Sequence, residues 1–173
     1  HERQEKGLRP ITFLDKYPNS QASKELIKMD IPFDFSKPRT LIQYFLKISG
    51  IDGDSIVLDF FAGSATTAHA TMQLNAEDGG NRKFILCTNN ENKICEEVTY
   101  ERVKRVMKGY KNKKGEKIEG LGGNLSYYKT DLVNIEKLHK VSDEAKIKVT
   151  YQAGEMIAVR EDTLNEVEKN RSE

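Results

Sequence analysis

One stretch, residues 56–70 with the sequence IVLDFFAGSATTAHA, constrains the fold of this chain more than any other. Three apolar residues lead to Asp59, a Gly63-Ser64 pair follows, and small residues continue to Ala70. This order predicts a buried parallel strand, a tight turn and the first turns of a helix. The unpaired N–H groups of such a helix face the carboxyl edge of the strand, where open α/β sheets bind small ligands. The stretch therefore predicts a site for an anionic group.

The glycine pattern of this turn disfavours two common kinds of anion site. A phosphate-binding loop has the pattern G-x-x-x-x-G-K-[ST], and a dinucleotide site has G-x-G-x-x-G. Residues 59–67 contain a single glycine and lack lysine. An ordinary turn that packs the core and binds nothing is the remaining structural alternative.

Composition limits the architecture and the classes of partner. A chain of 173 residues with 37% hydrophobic and 32% charged content is expected to form one core and one domain. The formal net charge of +1 does not create an overall basic field for nucleic acid, so any such contact must come from a local patch. Membrane-length apolar stretches and a signal-peptide pattern are absent, which predicts a cytoplasmic location.

The two cysteines do not predict a metal site. Cys87 and Cys95 lack C-x-x-C spacing, and Cys87 lies in an apolar run where it is expected to be buried. The lone His69 in the helix after the turn is expected to pack without a chemical role. The lysines and arginines of residues 102–117 predict a charged, solvated surface, with contact to DNA phosphates as the alternative.

Hydrophobic periodicity and turn residues predict the other elements. Helices are expected near residues 21–29, 39–48, 65–74 and 94–110, with Ser20 and Ser36 as N-caps of the first two and Gly50 ending the second. Strands are expected at residues 11–14, 83–88 and 125–128, the last being the third strand of a doubly wound sheet. The tail predicts a helix from Ser142 to Met156, with a strand at residues 147–151 as the alternative, and then a strand at 156–159 and a helix at 162–169.

Residues 59–67, DFFAGSATT, resemble the D-P/F-F-x-G-S-G-T-T loop of the β-class amino-methyltransferases. In that family the loop surrounds the methionine end of S-adenosylmethionine. The resemblance implies cofactor contacts from Asp59, Phe60, Phe61, Ala62, Gly63, Ser64, Ala65, Thr66 and Thr67. Ala65 stands where the family usually has glycine, so a positive φ at this position would strain the backbone.

Two further segments resemble parts of the same family. Lys37-Pro38 resembles the segment that lines the methionine part of the cofactor, so the Lys37 ammonium or its neighbouring backbone is implied to face the cofactor carboxylate. A solvated lysine at the start of a helix is the equal alternative. After the second strand the family carries an acid for the cofactor ribose, whereas this chain has Asn89 and Asn90, with Glu91 following. The amide oxygen of Asn89 or Asn90, or the carboxylate of Glu91, would then accept the hydrogen bonds from the ribose. The alternative is that these polar residues only form a turn.

These segments, with KFILCTNNEN, GLGGNLSYYKTD and the acidic and apolar tail, are together similar to the carboxyl half of the modification (Mod) subunits of type III restriction-modification systems. Those subunits are β-class adenine N6 DNA methyltransferases. The resemblance implies an α/β, Rossmann-like fold, here a partial three-layer αβα arrangement with a C-terminal accessory tail. It divides the chain into an approach segment (1–36), a cofactor-binding half (37–131) and an accessory element (132–173). DNA, other Mod copies and a restriction (Res) subunit are the partners implied for the parent protein.

The family's catalytic tetrapeptide, D/N/S-P-P-Y, and its target-recognition region precede the Lys-Pro segment and are missing from this sequence. Residues 30–33, DIPF, lack the first proline and are expected to form a turn. The parent is therefore expected to be an adenine-specific DNA methyltransferase, and this fragment alone is expected to be inactive, with neither catalytic residues nor a metal. A Rossmann-like interaction module for subunit assembly and a different nucleotide-binding α/β enzyme are the alternatives.

Overall fold

A computed structural model of the chain describes residues 14–130 and six positions further along, Asp143, Lys146, Ile147, Thr150, Tyr151 and Ala153. The chain divides into two compact units, His1–Leu125 and Ser126–Glu173. The first unit is a mixed α/β structure. Its elements are α1 (Asn19–Lys28), α2 (Arg39–Ile48), β1 (Ile56–Asp59), α3 (Thr66–Asp78), β2 (Lys83–Leu86), a 3₁₀ turn (Glu91–Lys93), a π-helical segment (Ile94–Tyr100), α4 (Glu101–Lys108), β3 (Gly109–Lys111) and β4 (Lys117–Glu119).

The two strands next to the central turn pair in parallel, as their apolar runs predict. Ile56 lies opposite Lys83, and Asp59 lies opposite Leu86, so the carboxyl ends of β1 and β2 meet at one edge. Helix α3 connects the two strands and contacts both of them. The core combines buried residues of α1, α3, the π-helical segment and α4, among them Leu26, Ala68, Val98, Val103 and Val106.

The sheet is covered on one face only, so the burial predicted for β1 is wrong for the side chains on the other face. Val57, Phe84 and Leu86 are half-buried, whereas side chains on the other face alternate into solvent: Ile56, Leu58 and Ile85 are exposed, Ile85 by 51%. Cys87 continues that face and is exposed, contrary to the burial expected for it. The apolar composition of β1 did not predict this exposure, because a strand with one exposed apolar face has the same composition as a strand that is buried on both faces.

Both predicted serine caps are wrong. Pro18 is the N-cap of α1, and Ser20 lies inside the helix. Pro38 is the N-cap of α2 without a side-chain hydrogen bond, and the hydroxyl of Ser36 instead turns into a buried network described below. The predicted bounds of α2 are confirmed, with Gly50 in the left-handed region at φ 69° just beyond its end.

Helix α3 is longer than predicted because its stop signal lies further along the chain. It runs to Asp78 instead of residue 74 and ends at Gly79, whose φ of 72° is left-handed. It also begins after a left-handed residue, since Ala65 at its N-cap has φ 58° and ψ 35°. The positive φ that glycine would tolerate at this position is therefore present, and alanine adopts it.

The helix predicted at residues 94–110 is shorter and less regular than expected. Its first part is π-helical, α4 then ends at Lys108, and Gly109 with φ 83° starts β3. The third strand expected at residues 125–128 does not form. The strands that the sequence analysis missed are β3 and β4, an antiparallel hairpin whose turn is ordered by the Asn112 side chain, which accepts hydrogen bonds from the N–H groups of Lys114 and Glu116.

In the second unit, the described positions between Asp143 and Ala153 are helical, as expected for the predicted helix and not for the alternative strand. The strand at residues 156–159 and the helix at residues 162–169 lie outside the described residues, as do residues 11–13 of the first predicted strand. A membrane-spanning helix, judged by length and apolarity, is not found in the part of the chain that the structure describes.

The one-sided sheet predicts unequal sensitivity to substitution. Ile85→Thr keeps a β-branched residue at an exposed position and should change the free energy of unfolding by less than about 0.5 kcal/mol. Leu26→Ala, at a position that is 1% exposed, should lower it by about 2–5 kcal/mol. Urea denaturation of the two variants measures both values. Equal losses in the two variants would mean that the Ile85 face is covered.

The left-handed Ala65 predicts a second pair of variants. Ala65→Gly loses one buried methyl group, worth about 0.8 kcal/mol, but releases a left-handed alanine that costs about 1–2 kcal/mol. Ala68→Gly loses a methyl group that is equally buried, in a right-handed helical turn, and should destabilise by about 2 kcal/mol. The Ala65 variant should therefore be close to neutral in chemical denaturation. A loss as large as that of Ala68→Gly would contradict the left-handed conformation.

Candidate functional site

The central turn, residues 59–67, lies at the edge where β1 and β2 end, and we call it the 59–67 loop. Backbone hydrogen bonds attach it to the residue that follows β2: Cys87 N–H donates to the Asp59 carbonyl at 2.8 Å, and Ala62 N–H donates to the Cys87 carbonyl at 3.1 Å. The loop therefore continues the pairing of the sheet before the chain turns into α3. This is the edge where ligands bind in open α/β sheets.

The Asp59 carboxylate stabilises this turn. Its Oδ1 accepts a hydrogen bond from Phe61 N–H at 3.0 Å, and its Oδ2 accepts one from the Thr67 hydroxyl at 2.5 Å. One side chain thus joins the end of the strand, the loop and the first turn of α3. Since a carboxylate has about four acceptor positions, capacity for a ligand remains on both oxygens.

Backbone donors at the start of α3 are left without acceptors. The helix has no side-chain cap. Four N–H groups of this turn, those of Gly63, Ser64, Thr66 and Thr67, have no acceptor among the described residues. Gly63 and Thr67 are half-buried, whereas Ser64 and Thr66 are buried. Gly63 is left-handed, with φ 49°, and its carbonyl accepts a 2.6 Å hydrogen bond from the Thr99 hydroxyl. Free N–H groups at a helix start are suited to an anion such as a carboxylate.

The side chains of the 59–67 loop divide into two groups. Phe60 and Phe61 are exposed, Phe61 by 91%, and present apolar area beside the free N–H groups. The side chains of Ala62, Ser64, Ala65 and Thr66 are buried in the protein. These four predicted site residues therefore shape the loop through its backbone, and the structure turns their side chains away from the edge.

The structure brings Lys37 next to the same loop. Its backbone carbonyl accepts a hydrogen bond from the Thr66 hydroxyl at 3.3 Å. The Lys37 side chain is exposed. The Lys-Pro segment and the 59–67 loop thus meet although they are separated in sequence.

The two asparagines after β2 differ in what they contact. The Asn90 side-chain oxygen accepts hydrogen bonds from the N–H groups of Cys95 and Glu96 at 3.1 and 3.4 Å, so it caps the π-helical segment. Asn89 is exposed at the carboxyl end of β2. Of the two amide oxygens considered for a ribose, the one on Asn89 is free of this capping role.

Arg102 is the residue near the site that the sequence analysis missed. It was expected among the charged residues outside the apolar side of its helix, but it is 0% exposed. Its spacing carried the signal, because it lies four residues after Val98 and four before Val106, and both valines are buried. The Arg102 side chain therefore lies on the apolar side of this segment, inside the core.

Two ends of the Arg102 guanidinium contact different segments. Nη1 donates to the Ser64 carbonyl at 3.1 Å, to the Thr66 hydroxyl at 2.9 Å and to the Ser36 hydroxyl at 3.2 Å. Nη2 forms a 2.7 Å ion pair with Glu25 on α1. Burial lowers the pKa of Arg102 to about 10, against the Glu25 charge, which raises it, so the side chain stays charged at neutral pH.

The buried His69 completes this network in its neutral form. Its Nδ1 lies 3.3 Å from Arg102 Nη2, and because a guanidinium only donates, Nδ1 accepts and the proton resides on Nε2. Burial, followed by the positive charges of Arg102 and Arg39, lowers the pKa of His69 from 6.5 to about 2. His69 is thus buried and neutral at neutral pH.

A metal centre is not formed within the described residues, since they bring no three His, Cys, Asp or Glu side chains together in a metal-binding arrangement.

The low pKa of His69 predicts a loss of stability in mild acid. Below pH 6.5 the unfolded chain binds a proton at His69 that the folded chain does not, so the free energy of unfolding falls as the pH falls. The slope is about 1.4 kcal/mol per pH unit, or about 2 kcal/mol by pH 5. His69→Asn keeps an acceptor near Arg102 and does not titrate, so its loss between pH 7 and pH 5 should be about 2 kcal/mol smaller. Urea denaturation at both pH values measures this, and parallel losses would refute the buried neutral state.

Comparisons with known proteins relate the chain to one family. The sequence pattern of a family described as DNA methylase matches residues 10–101, more than half of the chain. The Mod subunit of the type III restriction-modification enzyme StyLTI of Salmonella typhimurium is 44% identical over 96 residues, which is 52% of this chain and 15% of that protein.

Two further relatives cover similar regions. The Mod subunit of the type III restriction-modification enzyme EcoPI of Escherichia phage P1 is 42% identical over 88 residues, 50% of this chain and 14% of that protein. The type II methyltransferase M.KpnI of Klebsiella pneumoniae is 43% identical over 72 residues, 40% of this chain and 17% of that protein. The matched segments thus span less than a fifth of the length of these curated relatives.

The similarity to Mod subunits of type III restriction-modification systems, predicted from several segments of the sequence together, is confirmed. The chain belongs to the DNA methylase family.

Proposed function

We propose that this chain is the S-adenosylmethionine-binding half of a site-specific DNA adenine N6-methyltransferase of a type III restriction-modification system. One observation carries the proposal: at the edge where two parallel strands end, the N–H groups of Gly63 and Thr67 have no acceptor among the described residues, and the Asp59 carboxylate bonds the Thr67 hydroxyl. An amino acid ligand carries one anionic and one cationic group, and this loop offers donors for the first and an acceptor for the second. The family and the named relatives support methyl transfer to DNA as the context.

Each residue of the proposed site has a physical role. The N–H groups of Gly63 and Thr67 receive the cofactor carboxylate, and the remaining acceptor positions of Asp59 orient its ammonium group. Asn89 accepts from the ribose hydroxyls through its amide oxygen. The exposed rings of Phe60 and Phe61 cover apolar parts of the ligand. The methyl group to be transferred is supplied by the cofactor when it is bound.

The remaining predicted residues act through the backbone or through charge. Ala62, Ser64, Ala65 and Thr66 hold the loop with buried side chains, and the exposed Lys37 ammonium adds positive charge near the carboxylate site. Asn90 fixes the start of the π-helical segment and leaves the ribose contact to its neighbour. We assign catalytic roles to none of these residues.

The bare sheet face supports the proposed three-layer, Rossmann-like fold of the parent protein. Parallel sheets are usually covered on both faces, and here α3 contacts the strands while Leu58 and Ile85 on the other face are exposed. We propose that residues 37–131 form the cofactor-binding half, with residues 1–36 as an approach segment and 132–173 as an accessory element. The second layer of helices belongs to the other half of the methyltransferase domain.

We infer that this chain alone does not transfer methyl groups. In the parent, the half that carries the D/N/S-P-P-Y tetrapeptide would hold an adenine flipped out of the duplex, so that its amine attacks the methyl group in line. DNA, further Mod copies and a Res subunit are the partners that we propose for that parent, in the cytoplasm.

A second candidate function has one observation in its favour. The exposed face formed by Ile56, Leu58 and Ile85 suits a Rossmann-like module that binds another subunit without a cofactor. The two functions differ in one measurable property, because the module would not bind S-adenosylhomocysteine.

Ligand-induced thermal stabilisation tests the proposed site. At a ligand concentration of 100 times Kd, S-adenosylhomocysteine should stabilise the chain by about 2.7 kcal/mol, which is a rise of about 5–10 °C in Tm. Asp59→Ala removes the acceptor for the ligand ammonium and should abolish most of that rise. Asp54→Ala, at an exposed acid before the opposite end of β1, is the matched control and should keep it.

The comparison uses the shift caused by ligand, since Asp59→Ala also loses hydrogen bonds to Phe61 and Thr67 and starts from a lower Tm. Equal shifts in both variants would remove Asp59 from the site. A larger shift with ATP or NAD would instead indicate a different nucleotide-binding enzyme, and no shift with any ligand would favour the interaction module.

A further inference from the structure

We infer that Arg102 is the positioning residue of the cofactor site, and that its buried guanidinium sets the orientation of the 59–67 loop. This inference rests on the proposed function, because it assigns the cause of the loop geometry on which cofactor binding depends. Arg102 does not reach the ligand edge itself, since its side chain is wholly buried.

The carbonyls of two successive residues in the 59–67 loop are bonded to side chains of the helical segments that follow β2. The Gly63 carbonyl accepts from the Thr99 hydroxyl at 2.6 Å, and the Ser64 carbonyl accepts from Arg102 Nη1 at 3.1 Å. The C=O and N–H of a trans peptide point in opposite directions. Bonding of both carbonyls to the π-helical segment and α4 therefore fixes the peptide planes of Gly63–Ser64 and Ser64–Ala65, which lie in the chain between the N–H groups of Gly63 and Thr67.

Side chains of the loop and of the segment before α2 form a buried cluster of hydroxyl groups. Ser36, Ser64 and Thr66 bring their hydroxyl oxygens within 2.7–3.2 Å of one another. Arg102 Nη1 lies 2.9–3.2 Å from all three, and its two N–H groups are shared between them and the Ser64 carbonyl. Hydroxyls rotate freely and set no direction by themselves. A planar guanidinium with fixed N–H directions supplies the missing direction, so the loop and the Lys37 segment are ordered together.

The other end of the Arg102 guanidinium is held by Glu25. Glu25 accepts from Arg102 Nη2 at 2.7 Å and from Arg39 Nε at 3.0 Å, which holds α1 and α2 to the same group. His69, neutral as described above, adds an acceptor without adding charge. The Arg102 Nε is buried without a hydrogen-bond partner.

These features fit a positioning role better than a role in stability alone. A buried ion pair usually contributes no more stability than apolar side chains that fill the same space, and an unpartnered polar atom lowers stability. Directional bonds to one loop are what apolar packing cannot provide. Arg82 offers a comparison within the chain, since it bonds Asp78 and the Asn75 side chain at the opposite end of α3, away from the 59–67 loop.

The test compares Arg102→Met, Arg102→Lys and the control Arg82→Met in the full chain. Two quantities are measured at a temperature where each variant is folded: amide hydrogen exchange of residues 63–67, and Kd for S-adenosylhomocysteine by calorimetry. Arg102→Met should speed exchange in these residues about tenfold relative to the core strands and weaken binding about tenfold, equivalent to about 1.4 kcal/mol. Arg102→Lys should recover part of the melting temperature through Glu25 but not the loop protection, because an ammonium lacks the planar fork.

Arg82→Met should lower the melting temperature without changing either loop property. If Arg102→Met lowers only the melting temperature, leaving loop exchange and Kd as in the unmodified chain, Arg102 is merely structural and the inference is overturned. If the unmodified chain does not bind the probe, the proposed function fails, and the exchange data still decide whether Arg102 orders the loop.

Discussion

The hydrogen bonds of one buried guanidinium hold together the parts of this protein that lie far apart in sequence. Arg102 joins α1 through Glu25, the segment before α2 through Ser36, and the 59–67 loop through Ser64 and Thr66. Without a partner its charge would be expensive to bury, so these segments must be in place for the core to close. The 59–67 loop is thus held on its buried side by hydrogen bonds from the charged Arg102 guanidinium, and at the sheet edge by backbone hydrogen bonds to Cys87.

The outer surface of the loop follows from this arrangement. Two carbonyls of the loop and the hydroxyls of Ser64 and Thr66 are bonded within the core, whereas the Thr67 hydroxyl bonds the Asp59 carboxylate. The N–H groups of Gly63 and Thr67 have no acceptor among the described residues. The bare apolar face of the two-stranded sheet is a separate property, and it fits a chain whose relatives are several times longer.

Local signals predicted the centre of the fold, and long-range partners limited the prediction elsewhere. We could predict the strand, turn and helix of residues 56–70 and the bounds of α2 from local signals. An apolar run, a proline or a glycine determines the conformation of residues close to it in sequence. Ser36 was assigned to a cap because its true partner, Arg102, lies 66 residues away. Arg102 was placed outside the core because burial of an arginine depends on a Glu25 that no local pattern reveals.

We propose that the 59–67 loop binds the amino acid end of S-adenosylmethionine. Nuclear magnetic resonance titration of the isotope-labelled chain with S-adenosylhomocysteine tests it residue by residue. We expect the largest shifts in the amide resonances at Gly63 and Thr67 and smaller shifts at Asn89. The Gly79-Gly80 turn at the far end of α3 should show no shift. Shifts concentrated at that turn, or on the sheet face of Ile85 with the loop unaffected, would contradict it.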